Sequence, residues 1–303
     1  MKTTIAAFAA LLSLVPVAAA AQDAGEPGVS GDTAPDDNQT DGAPTFEGSA
    51  LDGDFISLGI GVGIGSSYTG SDDYVAFPVP LVQGSLGGVD INPRPAGIAL
   101  DFLPDGDGDT SYSLGVTAKL NRDRVSNIQD EVVEAYGKLD TAVEVGPTAG
   151  ISFSGVLNPF DTVSLTVDTV WDVAGAHNGM AVSPSITYFT PVSRGAAVSL
   201  SVGTKWIDDD YADYYYSVAP LPGTAPGDAN FLPAYQADSG IENYSINLIG
   251  LYDLNGNLLD GGLAIFGIAG YSTLQGDARN TPFTSIRGSS DQFIGGIGIG
   301  YTF

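Results

Sequence analysis

The chain of 303 residues contains no cysteine and only 10 basic residues against 36 acidic ones. Without cysteine it forms no disulfide bridge and has no thiol for lipid attachment. A formal net charge of −26 argues against a nucleic-acid partner, because nucleic acid is bound by a basic face. The same charge disfavours electrostatic docking onto an anionic membrane surface.

Residue sets that usually carry catalysis are also missing. The sequence has no Ser–His–Asp set, no metal-ligand spacing and no phosphate-binding glycine loop. The next serine after the single histidine, His177, is Ser183 across a turn, whereas a nucleophile needs its base within hydrogen-bond reach. The acidic segment 105–109 resembles the start of a calcium loop, but position 116, where that loop needs a glutamate, is valine. The sequence therefore predicts no enzyme activity, no metal site and no cofactor.

After residue 21 no apolar run approaches the roughly 20 residues that a membrane helix needs. Before it, a basic start, an apolar segment and a run of small residues at 19–21 predict a secretory signal peptide over 1–21. Residues 22–54 contain nine acidic residues and no lysine or arginine. Such a segment buries too little apolar surface to offset the entropy of ordering, so we expect a disordered acidic leader in the periplasm.

A period of two dominates the C-terminal end. Large apolar residues recur there between glycines and a threonine, and a period of two places them on one face of a strand: Phe293, Ile297, Ile299, Tyr301 and Phe303. A terminal apolar strand leaves an unprotected edge in a soluble protein, but not as the closing strand of an outer-membrane barrel. A terminal aromatic residue also resembles the signal read by the bacterial barrel-assembly machinery, which we expect as a partner.

Similar alternation recurs along the chain from residue 55, and we predict a transmembrane antiparallel up-and-down β-barrel of about 12 strands (10–12) over 55–303. The stretches near 85–91 and 260–271 alternate poorly. Short connections, one of them around Gly84, are expected at the periplasmic end. Long loops are expected outside, near 65–75, 122–139, 207–240 and 273–290. Prolines inside predicted strands are expected to form bulges: Pro78, Pro80, Pro147 and Pro184.

Two groups of residues are candidates for function. Charges predicted to face inward either line a pore or pair into a plug, and we favour pairing: Lys119, Lys205, Glu144, Asp168 and Asp172. An acidic and aromatic segment opens the longest predicted loop: Asp208, Asp209, Asp210, Tyr211, Asp213 and Tyr215. This segment is a candidate for binding divalent cations that bridge lipopolysaccharide, or a protein or sugar ligand. Its alternative is a solvated acidic loop with tyrosines at the membrane interface.

Four segments in order together resemble the MipA/OmpV family (MltA-interacting protein) of Gram-negative outer membranes. They are a glycine strand at 59–63 followed by 68–74, then 206–211, then 232–235 with Gly240, and finally 287–293. The resemblance covers roughly 55–303 and excludes the acidic leader, and 122–139 carries no matching motif.

The resemblance implies a non-enzymatic protein of the outer membrane, in contact with its lipid and lipopolysaccharide. It implies a scaffold that binds a murein lytic transglycosylase and links it to a peptidoglycan synthase. The alternatives are a narrow porin-like channel and a surface adhesin or receptor in the envelope stress response. The resemblance assigns no binding residue.

Overall fold

A computed structural model describes residues 49–303 apart from residue 52 and residues 105–107. The predicted signal peptide, most of the predicted leader and part of the acidic 105–109 segment lie outside the described residues. Twelve antiparallel strands form a closed barrel in which sequence neighbours pair and the last strand pairs with the first. The strands are β1 (Phe55–Ser66), β2 (Tyr74–Leu86), β3 (Val89–Arg94), β4 (Gly97–Asp101), β5 (Thr110–Asn121), β6 (Ala142–Ser154), β7 (Thr162–Asp172), β8 (Met180–Ser193), β9 (Ala196–Ile207), β10 (Gly240–Asp253), β11 (Gly262–Leu274) and β12 (Asp291–Thr302).

The alternation seen in the sequence places apolar side chains on the outer face of the barrel. Ile60 is 65% exposed there, and Val62, Ile297 and Ile299 are exposed beside it. Apolar groups exposed in a continuous band are what lipid covers in a transmembrane barrel. The predicted fold and the closing role of the C-terminal strand are confirmed. In the described part of the chain no helix is both long and apolar enough to cross a membrane.

The two ends of the barrel differ in the length of their connections. At the long-loop end the strands are joined by 67–73, 95–96, 122–141, 173–179, 208–239 and 275–290, and at the short-turn end by 87–88, 102–109, 155–161, 194–195 and 254–261. Short turns face the periplasm in barrels of this class. The predicted turn around Gly84 is wrong, because Gly84 still pairs with Ile91. The chain turns instead at Gly87 and Gly88, whose φ angles of 60° and 83° favour glycine.

The bulges expected at the prolines are also wrong. The register shifts occur elsewhere, between Ile241 and Asn243 and between Pro191 and Ser193. The four prolines lie where the ladder is interrupted on one side without a change of register. Pairing with β7 skips Pro147, pairing with β9 skips Pro184, and Pro78 and Pro80 lie beyond the three residues of β2 that pair with β3. A residue without an N–H is tolerated at such gaps.

The long-loop end carries a cap with its own apolar core. Its helices are α1 (Glu131–Ala135), α2 (Asp209–Tyr216), α3 (Gly276–Asn280) and α4 (Pro282–Ser285). Asp130 and Asp208 accept backbone N–H bonds at the first turns of α1 and α2, which fixes where these helices begin. Two buried clusters hold the cap together, one around Tyr211 and Tyr215 and one around Val133 and Phe283.

Gly115 of β5 lies so close to β4 that it leaves no room for a side chain. A Cβ atom there would overlap the carbonyl oxygen of Leu100, whereas a Cβ at Gly250 of β10 would meet nothing within 4 Å. We expect Gly115→Ala to lower the free energy of unfolding in detergent by about 1–3 kcal/mol, the usual cost of overpacking. The matched variant Gly250→Ala should change it by less than about 0.5 kcal/mol. Equal stabilities in urea titrations would contradict the close approach of β4 to β5.

Candidate functional site

The lumen of the barrel has one polar side and one apolar side. Inward hydroxyl groups bond across the strands from β6 to β9, as in the pairs Ser152–Ser164 at 2.9 Å and Thr187–Ser201 at 2.8 Å between hydroxyl oxygens. Across the barrel, the inward positions of β1 and β12 are mostly glycines, and Phe266 of β11 packs over Gly298. The lumen is therefore amphipathic around its circumference.

An ion cluster lies on the polar side. The carboxylate of Asp168 accepts from Arg94 Nε at 3.0 Å and lies 2.9 Å from Lys119 Nζ, and Thr148 Oγ1 donates to it at 2.7 Å. Two cations share one carboxylate, so this trio carries one net positive charge. The predicted pairing of Lys119 and Asp168 is confirmed. Arg94 was missed because it ends a strand too short to show alternation.

A second polar network connects non-neighbouring strands near the long-loop end. Lys205 of β9 pairs with Glu242 of β10 at 3.1 Å, and Tyr216 donates to Glu242 at 2.7 Å. The hydroxyl of Tyr211 accepts from Lys205 at 2.6 Å and from Asn121 of β5 at 2.9 Å. Asn121 of β5 and Lys205 of β9 belong to strands four positions apart in the barrel order, so Tyr211 joins strands that are not neighbours and holds α2 against inward-facing side chains at the long-loop end.

The two remaining charges that were predicted to face inward, Glu144 and Asp172, have different kinds of partner. Glu144 accepts from Asn121 at 3.1 Å and lies 3.4 Å from Nε2 of His177, whose ring packs at 4.7 Å from that of Tyr211. Lys205 is thus paired as predicted, with Glu242, whereas Glu144 faces a histidine and an amide. Asp172 instead accepts backbone N–H groups of the loop that follows it, from residues 174, 177 and 178, so its predicted role in a charge pair is wrong.

The predicted outer-loop segment is the start of α2, and its members separate onto two faces. Asp209, Asp210 and Asp213 are exposed, and Asp208 caps the helix by accepting from the backbone N–H of Tyr211. Tyr211 is buried, and Tyr215 is only 2% exposed. Burial raises the pKa of both hydroxyls, which are therefore neutral phenols. Among the described residues no group of three or more His, Asp or Glu side chains is placed to hold a metal ion.

Arg124 holds the C-terminal end of α2 in the cap. Its guanidinium donates to the backbone carbonyls of Tyr214 and Tyr215 and lies 4.4 Å from the ring centroid of Phe283 in α4. Burial lowers the pKa of Arg124 and nearby Asp123 opposes this, and an arginine stays charged in either case. A cation at the C-terminal end of a helix is favourable. Sequence reasoning missed Arg124, and the only signal was a basic residue in a strongly acidic chain.

The short-turn end presents apolar side chains on a rigid turn. Asp161 accepts backbone N–H groups from Val156, Leu157 and Asn158 and the hydroxyl of Tyr188. The turn is thereby fixed, yet Leu157 is 77% exposed and Val156 is exposed beside it. We call Val156 and Leu157 the turn patch. Sequence reasoning missed the turn patch, because the composition of 155–161 indicates only a turn.

Comparison with known proteins gives one family and several distant structures. A family model described as MltA-interacting protein MipA matches residues 58–303, and no curated protein matches the chain. Among solved structures, an outer-membrane channel from Pseudomonas putida F1 is 14% identical, with 83% of this chain and 96% of that chain covered and a TM-score of 0.45. The anion-selective porin from Comamonas acidovorans is 10% identical, with 82% and 98% covered and a TM-score of 0.37. The toluene transporter TodX from Pseudomonas putida is 9% identical, with 85% and 92% covered and a TM-score of 0.36.

Proposed function

The chain belongs to the MltA-interacting protein MipA family and is a β-barrel of the Gram-negative outer membrane, and from this premise we propose that it is a non-enzymatic scaffold for murein remodelling. In this proposal its periplasmic face binds a murein lytic transglycosylase, and the complex includes a peptidoglycan synthase. The barrel anchors the assembly in the outer membrane.

One observation carries the preference for an anchor over an open channel. Helix α2 lies at the long-loop end, with Tyr211 and Tyr216 bonded to Lys205, Asn121 and Glu242 of three different strands. In this proposal α2 and its neighbours cover the long-loop end of the lumen. A barrel whose end is covered by its own cap supports a role at its ends rather than through its centre.

The turn patch is the surface that we assign to the partner. Large apolar groups on a rigid, water-facing turn favour burial against another protein. Asp161 fixes the turn before binding, so little conformational entropy is lost when a partner docks. The acidic leader at 22–54 is a second proposed contact, since it would extend from the same end of the barrel.

A paired substitution at the two ends tests this proposal. In crosslinked envelopes, the double variant Val156→Asp/Leu157→Asp should reduce capture of the transglycosylase by about tenfold, the effect of losing a small apolar contact. The control variant Val173→Asp/Ile286→Asp changes two exposed residues at the long-loop end and should leave capture unchanged. Compact gel mobility would verify that both barrels fold. Undiminished capture both by the turn-patch variant and by a chain lacking 22–54 would refute the proposed contacts.

A narrow porin-like channel is the alternative. The inward glycines of β1 and β12 carry no side chains of their own, and Phe77 and Phe266 of the neighbouring strands pack over them, so a path along this wall would be narrow and apolar. Under the scaffold proposal the unaltered protein gives no conductance steps in planar bilayers. Regular steps would make the channel the better description.

A further inference from the structure

The barrel wall has a seam between β2 and β3. Only Gly84, Ser85 and Leu86 of β2 pair with β3. The preceding ten residues, 74–83, pair with β1 on their other side and with no described residue on this one. Strands β3 and β4 are also short and turn at Pro95 and Ala96. The two sides of the wall therefore separate between Ile91 and the long-loop end.

Prolines prevent β2 and β3 from extending their hydrogen-bonded ladder along this seam. Pro78 and Pro80 lie in the unpaired part of β2, and Pro93 and Pro95 lie on the β3 side. Proline has no N–H and cannot extend a ladder, so it is confined to edges and gaps. Unsatisfied backbone groups are costly next to lipid, and the prolines remove two donors from the β2 edge. The sequence thus keeps the seam unpaired.

Behind the seam the lumen is apolar. The inward residues of β2 pair with the inward glycines of β1, and they are Val75, Phe77, Val79 and Leu81. Ile294 of β12 also faces inward, because it pairs with Gly65 of β1, yet it is 42% exposed. An exposed isoleucine inside the barrel marks space next to an apolar wall. On the outside, the neighbouring strand β1 presents Ile60 and Val62 to lipid, so the seam connects the bilayer with this apolar space.

Two buried acceptors without partners lie further along the same strands, toward the short-turn end. Gln83 is 3% exposed and its Oε1 has no hydrogen bond, and Asp101 is 1% exposed with its Oδ2 free. Gln83 faces inward because it pairs with Ser57 of β1. Asp101 lies two strands away, opposite Asp90, which itself pairs with Ser85 of β2. A buried acceptor left unbonded costs free energy that a donor group of a ligand would recover.

We propose that the seam is a lateral port through which a single-chain lipid of the surrounding bilayer enters the lumen. Its aliphatic chain packs against Phe77, Val79 and Ile294. Its polar end carries hydroxyl donors, which bond to Gln83 Oε1 and Asp101 Oδ2. The ligand class is a neutral or weakly charged monoacyl lipid. This inference does not depend on the scaffold role, because it concerns the opposite part of the barrel from the turn patch.

The test uses the full chain in phospholipid vesicles with a monoacylglycerol whose chain carries a photoreactive diazirine. Labelling is expected on peptides that contain Phe77 and Ile294. Val79→Trp fills the space from inside and should lower this labelling by about tenfold. The control Val62→Trp lies next to it in the same ladder but faces lipid, and it should leave labelling unchanged. Labels confined to outward residues in the unaltered protein would overturn the proposal.

A second variant keeps the test valid if Val79→Trp does not fold. Gln83→Leu removes one acceptor and should reduce monoacylglycerol labelling by about fivefold, the effect of one hydrogen bond. A fatty-acid methyl ester with the same diazirine chain has no donor, so its labelling should be the same in both proteins. An equal loss with both probes would refute the role of the acceptors, and no loss with either would refute the port.

Discussion

Replacing Arg124 by methionine is expected to release α2 from the cap. The substitution keeps the aliphatic stem but leaves the carbonyls of Tyr214 and Tyr215 without their donor. It also removes the guanidinium from the face of Phe283. Unsatisfied buried carbonyls cost about 1–3 kcal/mol each, and a buried cation–aromatic contact adds up to about 2 kcal/mol. We expect a loss of about 3 kcal/mol, confined to the cap.

Limited proteolysis measures this loss directly. Cleavage in the 208–239 loop follows the population of the opened cap, so about 3 kcal/mol corresponds to an increase of roughly 100-fold. Under the scaffold proposal, planar bilayers should then show conductance steps that are absent for the unaltered protein. Arg122→Met is the matched control, because Arg122 is two residues away and exposed. Equal cleavage of the two variants would show that Arg124 does not hold α2 in the cap.

Asp168→Asn is expected to destabilise the barrel itself. This change leaves Arg94 and Lys119 facing one amide where they shared a carboxylate. Removing one partner of a buried ion pair costs about 3–5 kcal/mol, since the remaining charges stay desolvated. The urea midpoint in detergent should fall accordingly. Glu134→Gln breaks the exposed pair Glu134–Lys138 instead and should cost less than about 0.5 kcal/mol.

A double variant separates charge repulsion from the loss of hydrogen bonds. In Lys119→Met/Asp168→Asn only one cation remains, so repulsion within the cluster is gone. This protein should recover part of the stability lost in Asp168→Asn. If it is no more stable, the loss in the single variant comes from the charge-assisted bonds of Arg94 to the carboxylate and not from repulsion.

The sequence predicts the barrel well because the alternation of residues within a single strand indicates which face meets lipid and which faces the lumen. Over 57–64 in β1 and 296–301 in β12 the outward residues are large and apolar and the inward ones are glycines or a serine, so the period of two is unambiguous there. Strands β3 and β4 have six and five residues and contain a proline. Such short segments carry too few repeats to locate a turn, which explains the wrong position at Gly84.

The cap was harder to predict because its contacts join distant parts of the chain. Tyr211 and Tyr215 are four residues apart, and the aspartates at 209 and 213 alternate with them. This is a helical pattern that indicates one buried face. What that face packs against is not local. Arg124 meets Tyr215 across 91 residues of sequence, and no period in either segment indicates the other.

The same distances determine when the cap is able to form. Tyr68 donates to the backbone of Phe283, 215 residues later, and both belong to one buried cluster. Contacts of such sequence separation form late, because the loop between them has to close first. The cap therefore condenses only after the strands have met and their loops have crossed the membrane. A newly closed barrel therefore passes through a stage in which α2 and its neighbours do not yet cover its long-loop end, and the rate at which the cap folds sets the length of that stage.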